Sequence, residues 1–152
     1  MIVDRFWGYR ATWHRKAYHE AGHAVVAWAS GERVEMVRIS PFPPKTRRRG
    51  DENNIAVVLA VAYGGMKAEE RLTAKPKPSE GADNDLDKIE AILSNHLPPG
   101  ASKNEWRRQA SETAQSIILK HWDRVTVVAE ALLLEDRLTE KRFAEIVGER
   151  FS

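Results

Sequence analysis

The sequence contains no cysteine. Disulfides and thiolate ligands are therefore excluded, and any metal would have to rest on histidine, aspartate or glutamate. A chain without thiols also fits a reducing compartment. Long apolar runs are missing as well. The longest, IAVVLAVAY from Ile55 to Tyr63, is about half of what a membrane-spanning helix needs. The opening MIVDRFWGYRATWHRK lacks the continuous apolar segment of a secretory leader. Charge of one sign is not in excess either, since 24 basic side chains against 22 acidic ones leave +2, which asks for no nucleic-acid partner. There is no Gly-rich Lys-Ser/Thr phosphate loop, no internal repeat and no low-complexity segment. What remains is the profile of a soluble, cytoplasmic, single-domain protein spanning residues 1–152, with no membrane and no nucleic acid among its partners.

Helical spacing dominates the chain. The pattern predicts a first helix from Ala11 or Thr12 to Ser30, with residues 1–10 as an N-terminal tail and Gly31 as the stop. VEMVRIS, Val34 to Ser40, is short and β-branched and reads as a strand. Residues 41–54, PFPPKTRRRGDENN, read as a charged surface loop. IAVVLAVAYGGMKAEERL reads as a buried helix despite its valines, ended by the prolines of AKPKPSEG. Further helices are expected from Asp83 to Leu97, from a Ser102 cap to Glu135 with a bend near Trp122 and Asp123, and after a Thr139 cap. The fold class is mainly α, with one or two short β-strands beside the first helix.

That first helix carries the chemistry. In AYHEAGHAVVAWAS, His19 and His23 are four residues apart, a spacing that stacks two imidazoles on one helical face where they can converge on one metal ion. Glu20 is rotated by about 100° from His19; it points away from that face but can reach a water beside the metal and act as general base. Gly22 would cost about 1 kcal/mol against alanine inside a helix, which implies that another segment lies close to it. With five His and fifteen Glu in the chain, such a motif arises by chance in roughly one or two sequences per hundred. The bland alternative is a helix with two hydrogen-bonded histidines.

Two histidines do not complete a metal site. In ADNDLDKIEAILSNHL, a helical wheel places Asp85 with Ile89, Ile92 and His96, whereas Asp83, Asp87, Glu90 and Ser94 share the opposite side. A carboxylate on an apolar face needs a partner or a cation, so Asp85 is the candidate third ligand, a helix cap being the alternative. His96 lies three turns further along and reads as a core histidine. Glu69 shares a stripe with Val58, Ala62 and Gly65 and is a second candidate, as a ligand or as the partner of a ligand histidine.

AYHEAGHAVV, YGGMKAEERL and EGADNDLDK, in this order, resemble the zinc peptidase domain of FtsH-type AAA proteases, and LKHWDRVTVVAEALLLEDRLT is similar to that family's long helix and terminal Leu-Thr. The resemblance runs from about Ala17 to Ile146. It implies one Zn²⁺ per chain, held by His19, His23 and Asp85, with Glu20 as general base and Glu69 behind a ligand histidine. It also implies that the strand with Val34, Met36, Val37 and Ile39 is an edge able to pair with an extended substrate. The family carries a membrane anchor and an ATPase module ahead of the peptidase; here His19 stands near the start, so neither is expected, and residues 41–54 are shorter than the family's insertion. The expected function is a zinc metalloendopeptidase acting on unfolded proteins or peptides, either supplied by a separate ATPase or working unaided. The rival from another class is a non-catalytic, metal-stabilised binding or adaptor module. Arg47, Arg48 and Arg49 read as a solvated run rather than a nucleic-acid site, and the apolar stretch Val125 to Leu134 suits either core or a homo-oligomer contact.

Overall fold

The computed structural model describes the backbone of residues 2–74 and 80–148 and the side chains of residues 12–74 and 84–148. Within these lie six helices, α1 (Ile2–Ala29), α2 (Ile55–Thr73), α3 (Glu80–Asn95), α4 (Lys103–Lys120), α5 (Trp122–Glu135) and α6 (Glu140–Gly148), and three strands, β1 (Arg33–Arg38), β2 (Lys45–Arg49) and β3 (Arg137–Thr139). The architecture is mainly α with one small antiparallel sheet ordered β2-β1-β3.

Local chemistry explains most boundaries. α1 begins at Ile2 rather than Ala11, because no proline interrupts the first forty residues and Gly8 is the one glycine before Ala11, a tolerable cost. It ends where expected: Gly31 adopts a φ of 85°, and the Glu32 N–H reaches back to the Ala27 carbonyl at 3.0 Å, which satisfies a carbonyl left over at the helix end. Asn54 caps α2 by accepting from the Val57 N–H. Ser102 and Thr139 cap α4 and α6 by accepting from Glu105 and Arg142 at 3.2 Å each. The long helical region expected after Ser102 breaks at His121 into α4 and α5. The prolines expected to end α2 lie outside the described residues.

Two expectations for the strands are corrected. Residues 45–49 form β2, paired with β1 from Lys45↔Arg38 to Arg49↔Arg33, inside the segment read as loop. The inward members of KTRRR are Thr46 and Arg48, whose partners are Glu20 and Glu32, so no alternation of apolar residues announces the strand. β1 in turn lies between β2 and β3. Its β2-side edge is paired along the whole strand and its β3-side edge from Met36 to Arg38, and Val34, Met36, Val37 and Ile39 are buried, so Met36 to Arg38 is not an edge open to a substrate. The open edge on the β2 side belongs to Lys45–Arg49.

α1 runs through the middle and packs against α2 and α5, while α2 also contacts α3 and α4. One buried cluster joins α1, α5, α6 and the sheet around Val25, Val37, Val128 and Leu138. A second joins α2, α3 and α4 around Leu59, Ile89, Leu93 and Ala114. From α5, Val125, Val128, Ala129 and Leu132 belong to the core, whereas Leu134 is 86% exposed. α1 and α2 touch backbone to backbone at Gly22 and Gly64: a Cβ on Gly22 would stand 2.3 Å from the Gly64 carbonyl oxygen and 2.7 Å from the Ala68 Cβ. The segment implied by Gly22 is therefore α2. His96 is exposed rather than in the core, since α3 ends at Asn95. No helix among the described residues is long and apolar enough to cross a membrane.

Candidate metal centre

The close approach of α1 to α2 brings the α1 histidines beneath α2, and α3 closes the third side. There the Nε2 atoms of His19 and His23 lie 3.0 Å apart. Asp85 Oδ2, from α3, is 2.8 Å from His19 Nε2 and 3.1 Å from His23 Nε2. Within the described residues, His19, His23 and Asp85 are the group of titratable side chains disposed to hold a metal ion.

The opposite ring nitrogens fix the chemistry of this triangle. His23 Nδ1 lies 2.7 Å from the Val61 carbonyl oxygen, which can only accept, so Nδ1 carries the hydrogen. His19 Nδ1 lies 2.8 Å from Glu69 Oε2, again an acceptor, so this Nδ1 donates too. In neutral imidazoles both Nε2 atoms then present lone pairs. Two lone pairs and a carboxylate oxygen face one another within about 3 Å, and only a proton or a metal cation placed among them makes that arrangement favourable. Ligand atoms arranged tetrahedrally around zinc at about 2.0–2.1 Å stand roughly 3.3 Å apart. The observed triangle is close to that, and a donor set of two imidazoles and one carboxylate suits zinc.

The electrostatics agree. Burial pulls the His19 pKa down, but its bonds to Asp85 and Glu69 and the field of Glu20 outweigh burial and raise it to about 10. Asp85 is pushed up by burial yet held well below the ordinary carboxylate range by its bonds to His19 and His23. The site thus attracts positive charge strongly enough to keep a proton on a buried imidazole when no other cation is there.

Glu69 is 3% exposed and bridges His19 Nδ1 to Arg15, whose Nε donates to Oε1 at 3.2 Å. It orients a ring nitrogen of His19 and lies behind the triangle rather than in it. Glu20 is buried and lines the same cleft as the histidines; its Oε1 accepts from the Thr46 hydroxyl at 2.9 Å, which fixes the carboxylate on the β2 side. The cleft has a volume of about 720 Å³, with an apolar wall of Val58, Val61 and Ala62 and a rim that includes Phe42, Lys45 and Lys88.

Three contributors escaped the sequence reading. Thr46 sits in a segment read as loop. Val61 acts through its backbone carbonyl, which no side-chain pattern signals. Gly65 was on the stripe with Glu69, but its role is spatial: a Cβ there would stand 2.5 Å from His19 Nε2 and 2.6 Å from Cε1. Only a hydrogen leaves room for the imidazole.

No protein-family profile matches this chain. Curated relatives do. The chain is 25% identical over 179 residues to the mitochondrial ATP-dependent zinc metalloprotease FTSH 3 of Oryza sativa subsp. japonica, an alignment covering 88% of this chain and 22% of that protein. It is 26% identical over 184 residues to the ATP-dependent zinc metalloprotease FtsH of Chlorobium luteolum, covering 88% and 26%. Over half of the chain it is 34% identical to the FtsH of Mesomycoplasma conjunctivae, covering 12% of that protein. The chain spans about a quarter or less of the length of the curated relatives it matches. Across most of its length it is therefore homologous to one segment of the FtsH zinc metalloproteases.

Proposed function

We propose that the chain is a zinc-dependent metalloendopeptidase that hydrolyses peptide bonds in unfolded proteins or peptides. The observation that carries this reading is the meeting of His19 Nε2, His23 Nε2 and Asp85 Oδ2 on the floor of an open cleft, with a carboxylate that is not part of the triangle on the same floor. His19, His23 and Asp85 would hold one zinc ion per chain. Bound there, zinc would polarise a peptide carbonyl as a Lewis acid and make a water molecule acidic enough to attack it near neutral pH.

The remaining steps belong to the chain's own residues. Glu20 takes the proton from the attacking water and passes it to the leaving amine. Thr46, donating to Glu20 Oε1, leaves Oε2 to handle that proton. Glu69 and the Val61 carbonyl hold the two imidazoles by their Nδ1–H groups, which fixes the tautomer and raises the basicity of each Nε2. β2 offers its outer edge beside Glu20, so an extended substrate backbone can add to the sheet there.

Elemental analysis of the purified chain tests the metal assignment. One zinc per chain is expected in the wild type and a small fraction of that in Asp85→Ala; undiminished zinc in the variant would remove Asp85 from the site. Hydrolysis of casein by the zinc-loaded chain, lost on chelation, separates the peptidase from a metal-stabilised adaptor module, which would hold zinc and cut nothing.

A further inference from the structure

The cleft differs sharply between floor and rim in charge. The floor carries the carboxylates Glu20, Glu69 and Asp85, each already engaged by Thr46, by His19 and Arg15, or by the two histidines. Five cationic residues line the cleft above them, Arg15, Lys16, Lys45, Arg48 and Lys88. Arg15 reaches Glu69, and Arg48 is bound to Glu32 and Glu52 at 2.9 and 3.2 Å. Lys16, Lys45 and Lys88 form no ion pair among the described residues. They come from three different elements, α1, β2 and α3.

The cleft also has an apolar lining beside them. Phe42 is 82% exposed, the Lys16 ammonium lies 5.3 Å from the Trp13 ring centroid and 6.0 Å from that of Phe42, and the largely buried Val58, Val61 and Ala62 line the cleft. Low-dielectric walls beside unpaired ammonium groups concentrate their field inside the cleft.

We propose that this cleft selects acidic peptide segments, with glutamate or aspartate on both sides of an apolar residue that lies against Phe42 and the Val58–Val61–Ala62 wall. Lys45 on β2 and Lys88 on α3 meet the acidic side chains from opposite sides of the bound backbone, and Lys16 does so beside Phe42. This selectivity rests on the peptidase reading for the site but is a property of binding, which is measurable without cleavage. An exposed charge pair contributes about twofold in affinity, so the three lysines together give roughly tenfold.

The test titrates zinc-loaded Glu20→Gln protein with dye-labelled ten-residue peptides that share an apolar centre and differ only in flanking Glu, Gln or Lys. At low ionic strength the Glu peptide should bind at least about tenfold tighter than the Lys peptide, with the Gln peptide between them. The gap should close in 0.5 M salt, because exposed pairs are screened, and in a Lys16→Gln/Lys45→Gln/Lys88→Gln variant. Equal affinities, no binding of the Glu peptide, or a gap that survives the triple substitution would each overturn the proposal. So would displacement of the Glu peptide by a single-stranded oligonucleotide at lower concentration, which would mark the rim as a nucleic-acid surface. Casein hydrolysis by the wild type is read separately, so absence of cleavage counts against the peptidase and not against this selectivity.

Discussion

His19 meets two demands at once: its Nδ1 is held by Glu69, and its Nε2 faces both His23 and Asp85. In the proposed centre a proton and a metal ion would compete for that Nε2. Because the His19 pKa is raised to about 10, the metal-free site holds a proton throughout the neutral range, and binding zinc must expel it. Zinc affinity should therefore rise by about tenfold per pH unit between pH 6 and 8, and binding at pH 7 should release about one proton, measurable by calorimetry in buffers of different ionisation enthalpy. For the chelated protein the sign is opposite. The raised His19 pKa stabilises the fold fully below its unfolded value of 6.5, a contribution lost as pH climbs through about 10. The lowered Asp85 pKa stabilises above its ordinary 3.8 and is lost as pH falls below that. Chelated protein should thus be most stable between the ordinary Asp85 value of 3.8 and the ordinary His19 value of 6.5, with its melting temperature falling on either side. Glu69→Gln keeps an acceptor for His19 Nδ1 but removes the charge behind it, and should weaken zinc binding by about tenfold in competition with a chromophoric chelator. Asp85 and Glu69 were legible in the sequence because helical phase puts each on an apolar stripe, where a carboxylate needs a reason. Thr46 and the Val61 carbonyl were not, since one sits in an all-polar strand and the other is backbone.

Between elements, glycines decide the geometry of the site. Gly22 and Gly64 let α1 and α2 touch, and Gly65 leaves the His19 ring its space. Gly22→Ala places a methyl group against a carbonyl and another methyl, an overpacking that should destabilise the protein by about 1–3 kcal/mol in urea unfolding. Gly65→Ala meets an imidazole instead, and its signature should differ: zinc content falls steeply while the urea midpoint of the chelated protein changes little. Equal effects of both substitutions on stability and zinc would show that Gly65 only packs helices. The sheet is held by a different device. Arg48 is 9% and Glu32 6% exposed at their side chains, so Arg48→Ala leaves a buried carboxylate unpaired and should cost about 3 kcal/mol, loosening β2 and with it the Thr46–Glu20 contact. The helices and their caps at Ser102 and Thr139 could be read from local residue patterns. β2 could not, because its inward side chains bury charge against charge and its pairing partner lies in β1; β3, three residues long, offers too few residues for any pattern.

At the scale of the molecule, the candidate metal centre joins parts that are remote in sequence. His19 and His23 come from the helix in the first core cluster, Asp85 from a helix in the second, some sixty residues later. Zinc bound between them should stabilise the whole fold by about 2.7 kcal/mol at a hundredfold excess over the dissociation constant, raising the melting temperature by about 5–10 °C. Chelation should free amide exchange first in α3, which closes the site and has an exposed outer face. The central claim is that the centre is catalytic and that Glu20 moves the proton. The most direct measurement compares casein hydrolysis by zinc-loaded wild type and zinc-loaded Glu20→Gln, with zinc content determined on the same samples. One zinc in each, with the rate reduced at least about hundredfold in the variant, is the expected result. Equal rates, or a wild type that holds one zinc and releases no peptide, would contradict it.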